Sequence, residues 1–276
     1  VPGFIFVNLY TTPLHLDMIN VLFCGLLLLI MHDMIGRIVA KIRHYDIGMT
    51  NAFKNSVMFN NSGNIGVSLI TLIFSSGPFV VNGTTPYIQT AITAQIIILV
   101  LQNISGNTLG FYNAGRSRLS SRDSLLQVMK MPSIYVILLA FILKNMSFDL
   151  TQTAVWPALE YIKNGLVPVA LLTLGVQLSK TTFDFSNVEA YLSVMVKLIV
   201  SPLLALICIY LLGFNGVVAQ TIFIAHSVPT AVNTALIAVE QDSYPDFASQ
   251  AVMMSTVLSA LTLTLAIFAA RILFPV

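Results

Sequence analysis

The residues best suited to chemistry lie in two short stretches, each embedded in apolar sequence. FNNSGNIGVSL (59–69) holds three asparagines and two glycines, and AHSVPTAVNT (225–234) holds His226, Pro229, Thr230 and Asn233. The amides of Asn61, Asn64 and Asn233 can donate to a carboxylate or bridge to unwound carbonyls. Ser62 and Thr230 offer hydroxyls for the same work. Histidine as a residue type titrates near neutral pH, which makes His226 the candidate carrier of a coupling proton; the competing reading is a neutral histidine bonded to a neighbouring helix. Asp33, next to His32, and Glu240, at the end of an apolar run, are secondary candidates for proton or ion coupling. The four histidines, His15, His32, His44 and His226, are scattered. They form neither a metal-binding HExxH pair nor a base beside a nucleophile, so an enzyme is not expected.

Both stretches weaken the helix that their neighbours favour. Pro229 removes a backbone donor and clashes with the carbonyl four residues earlier. A break facing lipid would leave backbone groups unsatisfied, at several kcal/mol each, whereas a break lining an interior cavity is tolerated. There it exposes half-helix N-termini, with free N–H groups and about half a positive charge, which suit an anion. Asn61, Ser62, Gly63 and Asn64 from one break and Pro229, Thr230 and Asn233 from the other therefore read as a binding site for a small anionic or polar solute.

The premise of a membrane rests on composition. Of 276 residues 57% are hydrophobic and 9% are charged, with a mean hydropathy of +0.87. A soluble domain carries roughly a quarter charged residues. Apolar runs long enough to cross about 30 Å of hydrocarbon fall at 18–42, 51–74, 87–109, 132–148, 164–179, 189–212, 216–240 and 247–271. The fold expected is an all-α polytopic membrane protein. Cys24 and Cys208 lie inside these runs, as ordinary packing groups. The net charge of +2 gives no reason to expect a nucleic acid.

An internal repeat is visible. VPGFIFVNL at the start resembles LVPVALLTL, pairing Pro2 with Pro168, and the same offset of 166 carries Asn61–Asn64 onto Ser227–Thr230. Two halves are expected, 1–131 and 132–276, as inverted repeats of five helices. The opening ten residues, with no basic n-region or cleavage pattern, read as the second half of a helix. The offset puts the start of the first repeat about 35 residues before Val1. Lysine and arginine set the orientation. Arg37, Lys41, Arg43, Lys54, Arg116, Arg118, Arg122, Lys130 and Lys180 gather on one side, against Lys144, Lys163 and Arg271 on the other. The loop 110–131 is therefore expected in the cytoplasm and the C-terminus outside. Lys197 is expected to snorkel to the cytoplasmic interface.

AHSVPTAVNTALIAVEQD followed by DFASQAVMMSTVLSALTLT resembles the last two helices of the auxin efflux carrier family, which includes bacterial organic-acid permeases. FNNSGNIGVSL is similar to that family's fourth helix and KLIVSPLL (197–204) to its eighth. The resemblance implies ten helices in two inverted repeats, with helices four and nine broken and crossing, as in bile-acid symporter-like folds. It implies a secondary transporter in the cell membrane that moves a small organic anion, malate- or malonate-like or auxin-like, by alternating access. An ion or solute channel is the alternative. The implied partners are that anion and the lipid bilayer, with a homodimer left open. No cofactor is expected beyond a coupling H+ or Na+. Ser68 stands where members of the family often carry proline, so the first break is expected to rest on Gly63 and Gly66.

Overall fold

Apolar segments in hydrocarbon must satisfy their backbone internally, which favours helices. The computed structural model describes residues 2–11, 19–116, 119–130, 132–146, 149–180 and 187–276, and among these it is helical with no sheet. Val1, His15 and Arg118, and the ends of the runs at 18 and 147–148, lie outside the described residues.

The helices follow the apolar runs closely. They are α1 (Pro2–Thr11), α2 (Ile19–Arg43), α3 (Ile47–Met58), α4 (Ser68–Phe74), α5 (Ile88–Ser105), α6 (Phe111–Gly115), α7 (Ser121–Met129), α8 (Pro132–Lys144), α9 (Trp156–Lys180), α10 (Val188–Met195), α11 (Ser201–Leu212), α12 (Gly216–Ser227), α13 (Val232–Glu240) and α14 (Pro245–Leu273). Three π-helical turns, Ser62–Val67, Gly106–Gly110 and Val196–Val200, join α4, α6 and α11 to what precedes them. Among the described residues, four continuous stretches are long and apolar enough to cross a membrane: Ile19–Arg43, Ile88–Gly115, Val188–Leu212 and Pro245–Leu273. Two expected spans, 51–74 and 216–240, are split into half-helices, α3 with α4 and α12 with α13, at the two stretches expected to break. The ten-residue α1 packs against α8 and α9.

The outer surface shows which solvent the fold is built for. Along α14, Leu261, Leu265, Phe268 and Ile272 are 72, 68, 65 and 63% exposed. Their spacing of four, three and four puts them on one helical face, and a stripe this greasy is stable only against lipid. The opposite face buries Ser255, Ser259, Ala266 and Ala270, small residues that let neighbouring helices approach. The main core, including Cys24, Leu28, Ile70, Phe74, Ile98 and Cys208, ties α2, α4, α5 and α11 together. Both cysteines are buried free thiols.

The corner between α2 and α3 is tighter than the charge pattern suggests. Lys54 does not belong to a polar connection; it is 3% exposed within α3 and pairs with Asp33 of α2 at 2.7 Å. That pairing needs close helices, and Gly36 permits it: a Cβ there would sit 2.8 Å from Lys54 Cγ and 3.2 Å from its Cα. Gly36→Leu should therefore destabilise the fold by about 1–3 kcal/mol through overpacking, despite a helix-propensity gain of about 1 kcal/mol. A lower midpoint in a detergent thermal melt is the expected result.

Candidate functional site: the crossing of two interrupted helices

Each interruption begins where a helix runs into an extended residue. α3 stops at Met58, with Phe59 at φ −104°, ψ 123°. The chain passes through Asn60 and Asn61 and becomes helical again in the π-helical turn from Ser62. α12 stops at Ser227, with Val228 at φ −70°, ψ 154°, and α13 starts at Val232. The two linking segments meet as an antiparallel bridge between Asn60 and Thr230. Asn61 N donates to Pro229 O at 2.9 Å, and Ala231 N donates to Phe59 O at 3.0 Å. Proline suits its place here, since only its carbonyl is used. The first break forms without a proline, and Ser68 is already in helical conformation.

Other helices satisfy what this bridge leaves over. Asn60 N donates to Gln102 Oε1 at 3.0 Å, and Gln95 Nε2 donates to Ser62 O at 2.9 Å. Thr230 N donates to Ser255 Oγ at 3.2 Å, while its hydroxyl donates to Ser56 O at 2.8 Å. Ser201 Oγ donates to His226 O at 2.9 Å. Lys197 Nζ donates to Val57 O at 2.8 Å and to Asn60 Oδ1. Gly66 is required for close approach, because a Cβ would strike the Gln95 amide nitrogen that holds Ser62.

A cavity of about 60 Å³ opens beside the crossing. Asn60, Asn61, Ser62, Gly63 and Asn64 form one wall, Val232, Asn233 and Thr234 another, and Gln102, Asn103 and Asn107 of the α5 region a third. Neither helix start facing it, Ser62 or Val232, has a side-chain cap. Among the described residues, Asn60 Nδ2, Ser62 Oγ, Asn103 Nδ2 and Thr234 Oγ1 are buried without a hydrogen-bond partner. A buried polar group left unpaired costs about 1–3 kcal/mol. Four around one small cavity leave hydrogen-bonding capacity that the protein itself does not use.

The candidates named from sequence divide into three groups. Asn61, Ser62, Gly63, Asn64 and Asn233 all line the cavity. Pro229 and Thr230 build the crossing instead, through backbone and hydroxyl bonds. His226, Asp33 and Glu240 lie elsewhere. His226 is buried behind the crossing, its ring stacked on His32 at 6.3 Å, and His32 contacts Ser201 Oγ at 2.8 Å. Asp33 faces Lys54 and Arg37, beside a separate cavity of about 250 Å³ lined also by Tyr112 and Asn113. Glu240 is exposed at the far end of α13.

Sequence reasoning missed Asn60, Gln102, Asn103 and Thr234, and misplaced Lys197. The signal for α5 was present: Gln95 and Gln102 stand seven residues apart in an apolar run, on one helical face. Lys197 does not snorkel. It is fully buried, and its ammonium turns inward to the crossing.

A family model described as membrane transport protein matches residues 113–267. The chain belongs to the auxin efflux carrier family. It is also 27% identical over 270 residues to an uncharacterized transporter of Methanothermobacter thermautotrophicus (strain Delta H), covering 96% of this chain and 83% of that protein. The auxin efflux carrier family is one of membrane transporters and not of enzymes, and this carrier is an integral membrane protein. The crossing depends on side chains of neighbouring helices for its pairing. Gln102→Leu strands the Asn60 N–H and should cost about 1–3 kcal/mol of stability, measured as a lowered melting midpoint of the purified carrier.

Proposed function

We propose that this carrier moves a small organic carboxylate by alternating access and binds it in the cavity at the crossing. One observation carries the reading: two uncapped half-helix starts and four unpartnered buried polar groups converge on a single small cavity. Helix N-termini attract negative charge, and amide N–H groups supply directed donors. A cavity needs about 10–15 Å³ to admit a single water, so one of about 60 Å³ has room for more than one water or for a short acid. That volume favours a malonate- or malate-like acid over an indole carboxylate. The two halves, 1–131 and 132–276, are read as inverted repeats because each contributes one interrupted helix to the crossing. The lysine and arginine bias supports a cytoplasmic loop at 110–131 and an external C-terminus.

The test is a thermal-shift screen of the purified carrier against acetate, malonate, malate and indole-3-acetate, followed by uptake and counterflow in proteoliposomes. Malonate or malate should stabilise the protein, and uptake should saturate with counterflow. Conduction without saturation would favour a channel. Asn233→Ala and Asn103→Ala should each weaken binding by about 1.5–3 kcal/mol, the worth of a hydrogen bond to a charged group. Unchanged affinity in both variants would place the site elsewhere.

A further inference from the structure

The crossing contains a charge that its own two segments do not supply. Lys197 lies in the π-helical turn Val196–Val200 and is fully buried. An ammonium has three donors and no acceptor. It donates to Val57 O, in the last turn of α3, where carbonyls lack helical partners and the helix dipole is negative. Its second acceptor is Asn60 Oδ1. That bond fixes the orientation of the amide, since an ammonium can donate only to oxygen, and it leaves Nδ2 as the unpartnered donor in the cavity wall. The path from charge to cavity is therefore one side chain long.

No carboxylate of the described residues pairs with this ammonium. The titratable side chains whose surroundings include this ammonium are His32 of α2 and His226 of α12. On α3, Lys54 is matched by Asp33. On α10, Glu189 is engaged by Arg43 and Tyr45 at the surface. On α14, Asp246 sits in the first turn. A buried ammonium held only by neutral oxygens pays a desolvation penalty of several kcal/mol, which a nearby anion offsets.

We infer that Lys197 is a tethered coupling cation: its ammonium supplies, through the Asn60 amide, the positive charge that the transported anion meets, and its protonation links transport to pH. The inference rests on the anion-site reading above. With an anion in the cavity the amine holds its proton. When the anion leaves, one N–H bond breaks, the electron pair stays on nitrogen and the proton passes to water on the side to which the site opens. Lys197 does not line the cavity, so it is a positioning residue that acts through Asn60.

The test measures malonate and malate binding to the purified carrier from mildly acidic to alkaline pH. Wild-type affinity should fall as pH rises. Lys197→Arg keeps a charge that is never lost and should bind with a flat pH profile. Lys197→Met, similar in length but neutral, should bind roughly ten- to hundredfold more weakly. Asn60→Asp gives the ammonium a permanent counter-charge. It should fold at least as stably and lose anion binding, which keeps the test decisive if Lys197→Met does not fold. An arginine variant with the wild-type pH slope, or a methionine variant with wild-type affinity, overturns the inference and leaves the anion site standing. An aspartate variant with wild-type affinity, or a wild-type carrier that binds neither acid at any pH, overturns both.

Discussion

A backbone N–H or C=O left unpaired in hydrocarbon costs several kcal/mol, and that penalty governs the centre of this molecule. Two helices are interrupted, and each supplies what the other lacks. Asn61 N and Ala231 N find carbonyls on the opposite segment, so neither interruption is stable alone. The remaining groups are taken by side chains from α5, α14 and the α10–α11 span: Gln102, Ser255, Lys197 and Ser201. The crossing is thus a tertiary object. Its local sequence weakens two helices, and the rest of the fold decides what replaces them.

This division explains what could be read from the chain. Proline, clustered asparagine and glycine are local signals, and they located both interruptions to within a few residues. Apolar run length located the helices, because hydrocarbon thickness imposes it. The direction of a long side chain is not local. Lys197 stands about two turns into an apolar helix, where snorkelling outward and capping a neighbour's last turn are equally compatible with sequence. Only the position of Val57 and Asn60 across the helix interface selects the second. Asn103 and Thr234 escaped notice for a similar reason, since a polar residue in a span shows its use only once its facing helix is known.

The three π-helical turns lie around this one site. Ser62–Val67 follows the first interruption, Gly106–Gly110 brings Gly106 and Asn107 to the cavity wall, and Val196–Val200 carries Lys197. A π-helical turn holds an extra residue without ending the helix, rotating the side chains beyond it and freeing carbonyls from the regular ladder. Such turns let α5 and the α10–α11 span remain continuous across the membrane while presenting polar groups inward. Where the chain needs a free helix end it breaks completely; where it needs only one redirected side chain it bulges.

The physical demand on an anion carrier is to desolvate charge without trapping it. Donors alone, amides and helix ends, offset part of the desolvation of a carboxylate and leave one full negative charge to cross the membrane field, at about 2.3 kcal/mol per 100 mV. A carboxylate paired directly with a buried guanidinium would neutralise that charge and would release slowly. An ammonium set one amide away from the cavity lies between these limits. It lowers the charge of the loaded centre while no ion pair has to be broken for release, because the Asn60 amide separates the two charges. On this reading the ammonium offsets one negative charge of the bound acid and sheds its cost as a proton when the site is empty, so one buried amine serves both binding and the return of the unloaded carrier.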